Sequence, residues 1–418
     1  MWKALLEAFG KERGIPVRYI ASDMMGYEKS LSAHMAEDDP PALMKMRFGM
    51  LQKFDFLQDM CESLDDLKAA GDSLNVMNTA ISHDGRLIGL PYNVEGIGIL
   101  YNKTLMEKYF ALKNRASVVD STEEIDSQEK LIALADDIYA HRGELGIDGV
   151  FPTCAFALNA EDQWKTHMMA MPIYYEMQDK GARSFTKLDF KYSNNLRMLY
   201  DMFFRNAAGK PETFGDATLE SSVKSFMRGQ VPMMLYLHMI HRSYARKNNL
   251  ITEEDLKGVV RDEDIGILPV YFGHETQEHQ NVAIGMVWVH AVNRNADEEQ
   301  KKYAKEFLDW MVYSDTGRSM VKEMRYLLPY GSVRREDSPQ EPMDLVIYDR
   351  MRDPKLDHLN FAYTVMPLGP FRNNFAADLL AYAKGELAWE TVCGNLKEGW
   401  EKASEANEKN VREMFSQL

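Results

Sequence analysis

Helix-like and strand-like segments alternate along this chain, and that alternation limits the folds open to it more than any other feature. Residues 1–10 read as an amphipathic helix with Trp2, Leu5, Leu6 and Phe9 on one face. Gly14 and Pro16 punctuate a short strand over 17–20. A second helix, with Tyr27, Leu31 and Met35 four apart, stops at Pro40-Pro41, and 42–46 reads as a buried strand. Helices set between strands in this way predict an α/β chain whose parallel sheet is covered on both faces. At 418 residues the chain is too long for one ordinary core and suits two lobes.

The pattern continues to the end. The turn dipeptide Asp84-Gly85 leads into 86–91, then come an apolar run over 97–101 and a helix over 104–110. Further helices are predicted over 127–141, with Leu131, Leu134, Ala135 and Ile138 inward, and over 194–204. Gly229 reads as the cap of a helix ahead of a strand at 231–235. Strands follow at 264–270 and along the extended apolar run 282–292. The helix over 297–313 turns Ala304, Phe307, Leu308 and Met311 inward, and the last hundred residues are mostly helical, anchored by Trp389 and Trp400.

Composition removes several classes of function. A formal net charge of -15 disfavours nucleic acid, which is bound through clustered Lys and Arg. No stretch approaches 18 uninterrupted apolar residues, as a membrane-spanning helix requires. Cys61, Cys154 and Cys393 are too few and too far apart for a disulfide framework or a zinc site. The first residues lack the basic, apolar and small-residue order of an export signal, so a mature or trimmed form and an intracellular protein are both open. Catalytic patterns are equally scarce. His274 and His279 are five apart, whereas zinc-binding helices need four; His238 and His241 have no third ligand nearby in sequence. No nucleophile elbow, phosphate loop or dinucleotide fingerprint occurs.

Several segments, taken in order, resemble one family. The run Asp84-Gly85-Arg86-Leu87-Ile88-Gly89-Leu90-Pro91-Tyr92-Asn93, followed by Gly98-Ile99-Leu100-Tyr101-Asn102-Lys103, is similar to a signature stretch of family 1 extracellular solute-binding proteins, the maltose-binding-protein-like receptors of ABC importers. Phe226-Met227-Arg228-Gly229-Gln230-Val231-Pro232-Met233-Met234, Ile265-Gly266-Ile267-Leu268-Pro269 and Ala304-Lys305-Glu306-Phe307-Leu308-Asp309-Trp310 resemble later elements of the same family. The resemblance implies two α/β lobes joined by three crossings. Their expected bounds are 1–102 with 270–314 for the first lobe, and 103–269 with 315–418 for the second. Family members begin with a strand before the first helix, so the first strand is expected to be missing here. The resemblance also implies a monomer that takes up a small solute between its lobes, uses no cofactor, catalyses nothing and delivers to permease subunits. An extracellular lipoprotein or a periplasmic protein is the implied location.

A sugar is the expected solute, and sugars need aromatic rings to stack on and planar polar groups at the rim. Tyr92, Asn93 and Glu95 are candidates because they follow a strand end, where open α/β sheets bind ligands; the plain alternative is a turn with an aromatic anchor. Trp164 is either cleft-facing or a buried aromatic. Of Tyr174 and Tyr175, at most one faces a cleft if the segment is a strand. Tyr236 and His238 stand where the family carries a Trp region, and Arg47 and Trp288 complete the candidates. The 28 methionines, Met24-Met25 and Met168-Met169 among them, are either core filler or the lining of a site for an aryl-substituted solute. A receptor for a peptide or polyamine, a carbohydrate-active enzyme and a homologue that has lost binding are the competing expectations.

Overall fold

The computed structural model describes residues 1–21, 26–74, 84–116, 119–157, 163–181, 187–240, 245, 247–252, 254, 260–274, 279–357, 359, 361–367 and 369–416. The candidate residues Met24, Met25 and His241 lie outside them.

Two sheets organise the chain. The first has the order β1 (Leu43–Arg47), β7 (Trp288–Val292), β2 (Leu90–Pro91). The second centres on β3 (Glu95–Asn102), flanked by β4 (Met233–Leu237) and β5 (Ile265–Leu268), with β6 (Ala283–Gly285) pairing further along β3. Every pairing between these strands is antiparallel, which overturns the parallel sheet expected from alternation. The reason lies in the crossings. β1 and β2 run in the same direction, but β7 returns from the other sheet and is inserted between them in the opposite sense.

The apolar run 282–292 is therefore two strands on different sheets, β6 and β7, with Met286-Val287 between them. Likewise β2 belongs to the first sheet and β3 to the second, with the exchange inside 92–94. Strand β3 thus sits in the second sheet, inside the stretch assigned by sequence to the first lobe. A third connection runs from the helix Asp315–Glu323, which packs beside α1 (Trp2–Arg13), to the helix Pro342–Arg352 against β5. Residues 17–20, expected as a strand, pair with no strand among the described residues. Gly14 (φ 69°) ends α1 in the left-handed conformation, and the Ile15 N–H donates to the Gly10 carbonyl, folding the chain back along the helix.

The buried apolar residues form three clusters. One cluster gathers Leu5, Phe9, Tyr92, Phe307, Trp310 and Tyr330 under the first sheet, and another holds Leu131, Phe203, Trp389 and Trp400 in the second lobe. Between them, Met44, Met46 and Val289 of the first sheet pack with Leu100, Met234 and Ile267 of the second. Helix α2 (Tyr27–Met35) also touches the last helix, Trp389–Met414. The short helix α3 (Phe48–Lys53), which directly follows β1, lies against the turn Ala362–Val365 of the second lobe. That approach depends on Gly49, where a Cβ would overlap the Thr364 carbonyl oxygen.

Lys53 closes the same contact by donating from Nζ to the Val365 carbonyl at 3.2 Å. Burial lowers its pKa to about 8; Glu408 opposes the shift and Arg372 adds to it. An unfolded lysine keeps its proton up to about 10.5, so between pH 8 and 10.5 the unfolded chain binds the extra proton and stability rises with pH. The gain is at most about 3 kcal/mol. Denaturant melts across this window should show the rise in the parent and lose it in Lys53→Met. A parent curve with no rise there rejects the buried lysine.

Candidate functional site

Most of the sequence candidates gather at two places, while Trp164 and Tyr174 belong to the second-lobe core and its margin. The first place is the crossing at 92–94, which the surrounding residues pin tightly. Asn93 accepts the Leu327 N–H on Oδ1 at 2.8 Å, and the Val94 N–H donates to the Leu327 carbonyl at 3.0 Å. Asn93 also reaches Glu95 Oε1 with its Nδ2 at 3.4 Å. His238 binds β3 from the far end of β4: its N–H donates to the Gly96 carbonyl at 2.8 Å, and its Nδ1 accepts the Gly96 N–H at 2.9 Å. With Nδ1 accepting, the neutral ring carries its proton on Nε2, which lies 3.2 Å from Asp344 Oδ1 on the helix Pro342–Arg352. Burial pushes the neighbouring Glu95 carboxyl up, with His238 opposing.

This arrangement holds the crossings together; Asn93 and Glu95 keep part of their surface, while the rings beside them are buried. Tyr92 is 4% exposed, stacks on His290 at 4.5 Å and meets Trp2 edge-on at 4.8 Å; Tyr236 and His238 are 0% and 2% exposed. Tyr92 is packed as an aromatic anchor where the chain changes sheets.

Trp164 is also buried, edge-on to Phe203 at 5.1 Å in the second-lobe core, with its carbonyl accepting the Tyr200 hydroxyl. Tyr174 and Tyr175 lie in the helix Ala170–Lys180, so the strand alternation considered for them does not apply. Tyr174 is half-buried at the margin of the same core, while Tyr175 stacks on His274 at 4.0 Å. That stack explains His274 as a packed side chain; residues 275–278 lie outside the described set. Among the described residues, no group of three or more His, Cys, Asp or Glu could hold a metal ion.

The second place is where β7 begins. Arg47 and Trp288 are register partners across β1 and β7, and both keep part of their surface exposed. The Arg47 guanidinium lies 4.8 Å from the indole centroid and pairs with Glu28 at 2.5 Å. Lys45 stands 4.6 Å from the same ring, and Tyr27 meets it edge-on at 5.1 Å. Lys45 and Arg47 share a face because side chains repeat every two residues along a strand. Tyr27 and Glu28 arrive at the start of α2. Sequence reading named Arg47 and Trp288, and the structure sets Tyr27, Glu28 and Lys45 beside them. The period-two spacing of Lys45 and Arg47 was a usable signal; the approach of α2 had none.

Chemically, this cluster combines two aromatic rings with a planar guanidinium and a carboxylate, the groups that stack on and hydrogen-bond a polyhydroxylated ring. It sits one residue beyond Met286-Val287, where the chain changes sheets, and Val287 packs into the second-lobe core.

Comparison with known proteins agrees with this architecture. Residues 2–315 match the family model described as bacterial extracellular solute-binding protein. No curated protein matches the sequence. Among solved structures, the chain is similar to a family 1 extracellular solute-binding protein from Bifidobacterium longum subsp. infantis, at 14% identity and a TM-score of 0.67, covering 96% of this chain and 95% of that one. It is similar to the bacterial solute receptor AcbH, described as having an exclusive preference for β-D-galactopyranose, at 12% identity, TM-score 0.67 and coverage of 97% and 93%. RafE in complex with raffinose matches at 15% identity, TM-score 0.62 and 96% of each chain.

Proposed function

Because the chain belongs to the bacterial extracellular solute-binding proteins, whose members bind solutes without transforming them, we propose that it captures a mono- or oligosaccharide at the Trp288 cluster, between its lobes, and delivers it to an ABC importer. The observation that carries this reading is the placement of Trp288, Arg47, Glu28 and Tyr27 beside the point where the chain passes between sheets. There a bound ring touches the first lobe by stacking and lies within reach of the second. The sugar ligands of AcbH and RafE, on the same fold, support the choice of carbohydrate.

A thermal-shift screen over sugars, peptides and polyamines tests the ligand class. Stabilisation by sugars is expected; stabilisation only by peptides or polyamines rejects it. Trp288→Ala should then weaken the best sugar about 30-fold, the cost of a hot-spot ring. An unchanged Kd in that variant moves the site elsewhere while leaving capture intact.

A further inference from the structure

One cluster of titratable groups plays no part in the proposed capture of a solute. His238 directly follows β4, Glu95 opens β3, and Asp344 stands on the helix Pro342–Arg352. The geometry points to a proton-sensitive clasp: a proton on His238 Nδ1 frees the start of β3 from β4 and loosens the crossing beside it.

The clasp is built on an antiparallel ladder. Ile97 pairs with Leu237, so Gly96 and His238 are the next pair, and the His238 N–H donates to the Gly96 carbonyl at 2.8 Å. The Gly96 N–H donates in return to the ring of the same residue, at Nδ1, over 2.9 Å. Nδ1 accepts that N–H only while it is bare. A proton there sets N–H against N–H, so the ring must turn away. Turning also withdraws Nε2 from Asp344 Oδ1, which lies 3.2 Å from it. On its other edge β3 remains paired with β6 over Glu95–Ile97, so the strand keeps its sheet while the β4 side opens. Because 92–94 is where the chain changes sheets, the clasp links acidity to the joint between the lobes.

The surroundings draw a proton to this ring. Asp344 Oδ2 is buried without a hydrogen bond, and Asp344 lies in the first turn of its helix, where the dipole favours the ionised carboxylate. Glu95 faces the ring from β3; burial pushes its carboxyl up and His238 opposes. Beyond Glu95 stand Tyr92 and Tyr326, whose hydroxyls burial also pushes up. Among the described residues, no Lys or Arg is within ion-pair distance of Asp344 or Glu95. Two carboxylates and no cation around an imidazole favour its charged form. The hydrogen bond at Nδ1 thus excludes the proton that the nearby charges attract, and an opposition of this kind lets a side chain switch.

The test uses the whole chain and no solute, so its failure leaves the capture reading untouched. Hydrogen exchange of backbone amides is compared at pH 7.5 and pH 5, with each rate divided by the intrinsic rate at that pH. Imidazole is the side chain whose charge ordinarily changes in this interval. Gly96 should lose protection about tenfold on acidification, the worth of one hydrogen bond. Asn293, whose N–H donates to the Ala42 carbonyl in the first sheet, should keep its protection. Nitrogen NMR at pH 7.5 should find the His238 proton on Nε2; a proton on Nδ1 overturns the proposal. His238→Asn keeps an acceptor in the place of Nδ1 but takes up no proton, so Gly96 should be equally protected at both pH values. Glu95→Gln should retain the parent's loss. Unchanged protection of Gly96 in the parent overturns the clasp, and so does a loss that persists in His238→Asn. A loss that disappears in Glu95→Gln assigns the titration to that carboxyl and overturns it as well. If His238→Asn does not fold, the parent's NMR and Glu95→Gln still decide the matter.

Discussion

Gly49→Ala is expected to destabilise the protein by about 3 kcal/mol and to hold its two lobes apart. Overpacking a filled site ordinarily costs about 1–3 kcal/mol, the larger values arising where nothing nearby can move aside. Here the obstruction is backbone: the new Cβ would overlap the Thr364 carbonyl oxygen and lie 3.1 Å from the Val365 nitrogen. Neither can change rotamer, so α3 and the turn Ala362–Val365 must separate. This contact joins the lobes, so the cost should appear as partial opening as well as lost stability. Solution scattering should give a larger radius of gyration than the parent, and a ligand that needs the closed form should bind about 100-fold more weakly. A variant with parental scattering and a parental denaturation midpoint would mean that α3 and the turn are already apart in solution.

Acid should expose a second weakness, at His290. The ring is buried between Tyr92 and Trp2, and burial lowers its pKa from 6.5 to about 3, with the Lys45 cation adding to the shift. In the unfolded chain it takes a proton below about 6.5. Between pH 6.5 and 3 the unfolded state therefore holds the extra proton, and stability falls as pH drops, by up to about 1.4 kcal/mol per pH unit and about 5 kcal/mol in all. Carboxylates titrate in the same range, so the informative quantity is the difference between parent and His290→Phe, which keeps a ring in place. The variant should lose less stability than the parent on going from pH 7 to pH 4. Parallel curves would show that His290 accepts a proton in the folded state.

The helices were the most legible part of this fold. Leu131, Leu134 and Ile138, or Phe307, Leu308 and Met311, announce a buried face by spacing alone, and those helices form where the spacing puts them. The cap at Gly229, with its φ of 69°, was equally readable, since few other residues tolerate that conformation. Strand pairing was not legible. Nothing in 282–292 marks Met286-Val287 as a change of sheet, because both halves of the run are apolar and both strands are buried. The direction of pairing depends on which crossing returns where, a property of the whole chain. Burial at the candidate residues was not legible for a related reason. Tyr92, Tyr236 and His238 have the side chains of a sugar site, yet they sit where the crossings are bolted together, and burial is not written in residue type. Arg47 and Trp288 were nominated one by one, but their partnership comes from strand register, and Glu28 joins them only through the packing of α2.

The two short crossings have a mechanical consequence. Pro91 pairs with Val289 in one sheet and Glu95 with Gly285 in the other, so 92–94 and 286–288 run side by side across the gap. Two adjacent straps fastened at both ends resist twisting and sideways shear but bend readily about the line through their midpoints. Bending about that line is the relative motion these two straps oppose least. A solute touching both sheets on one side of the straps would fix that bend.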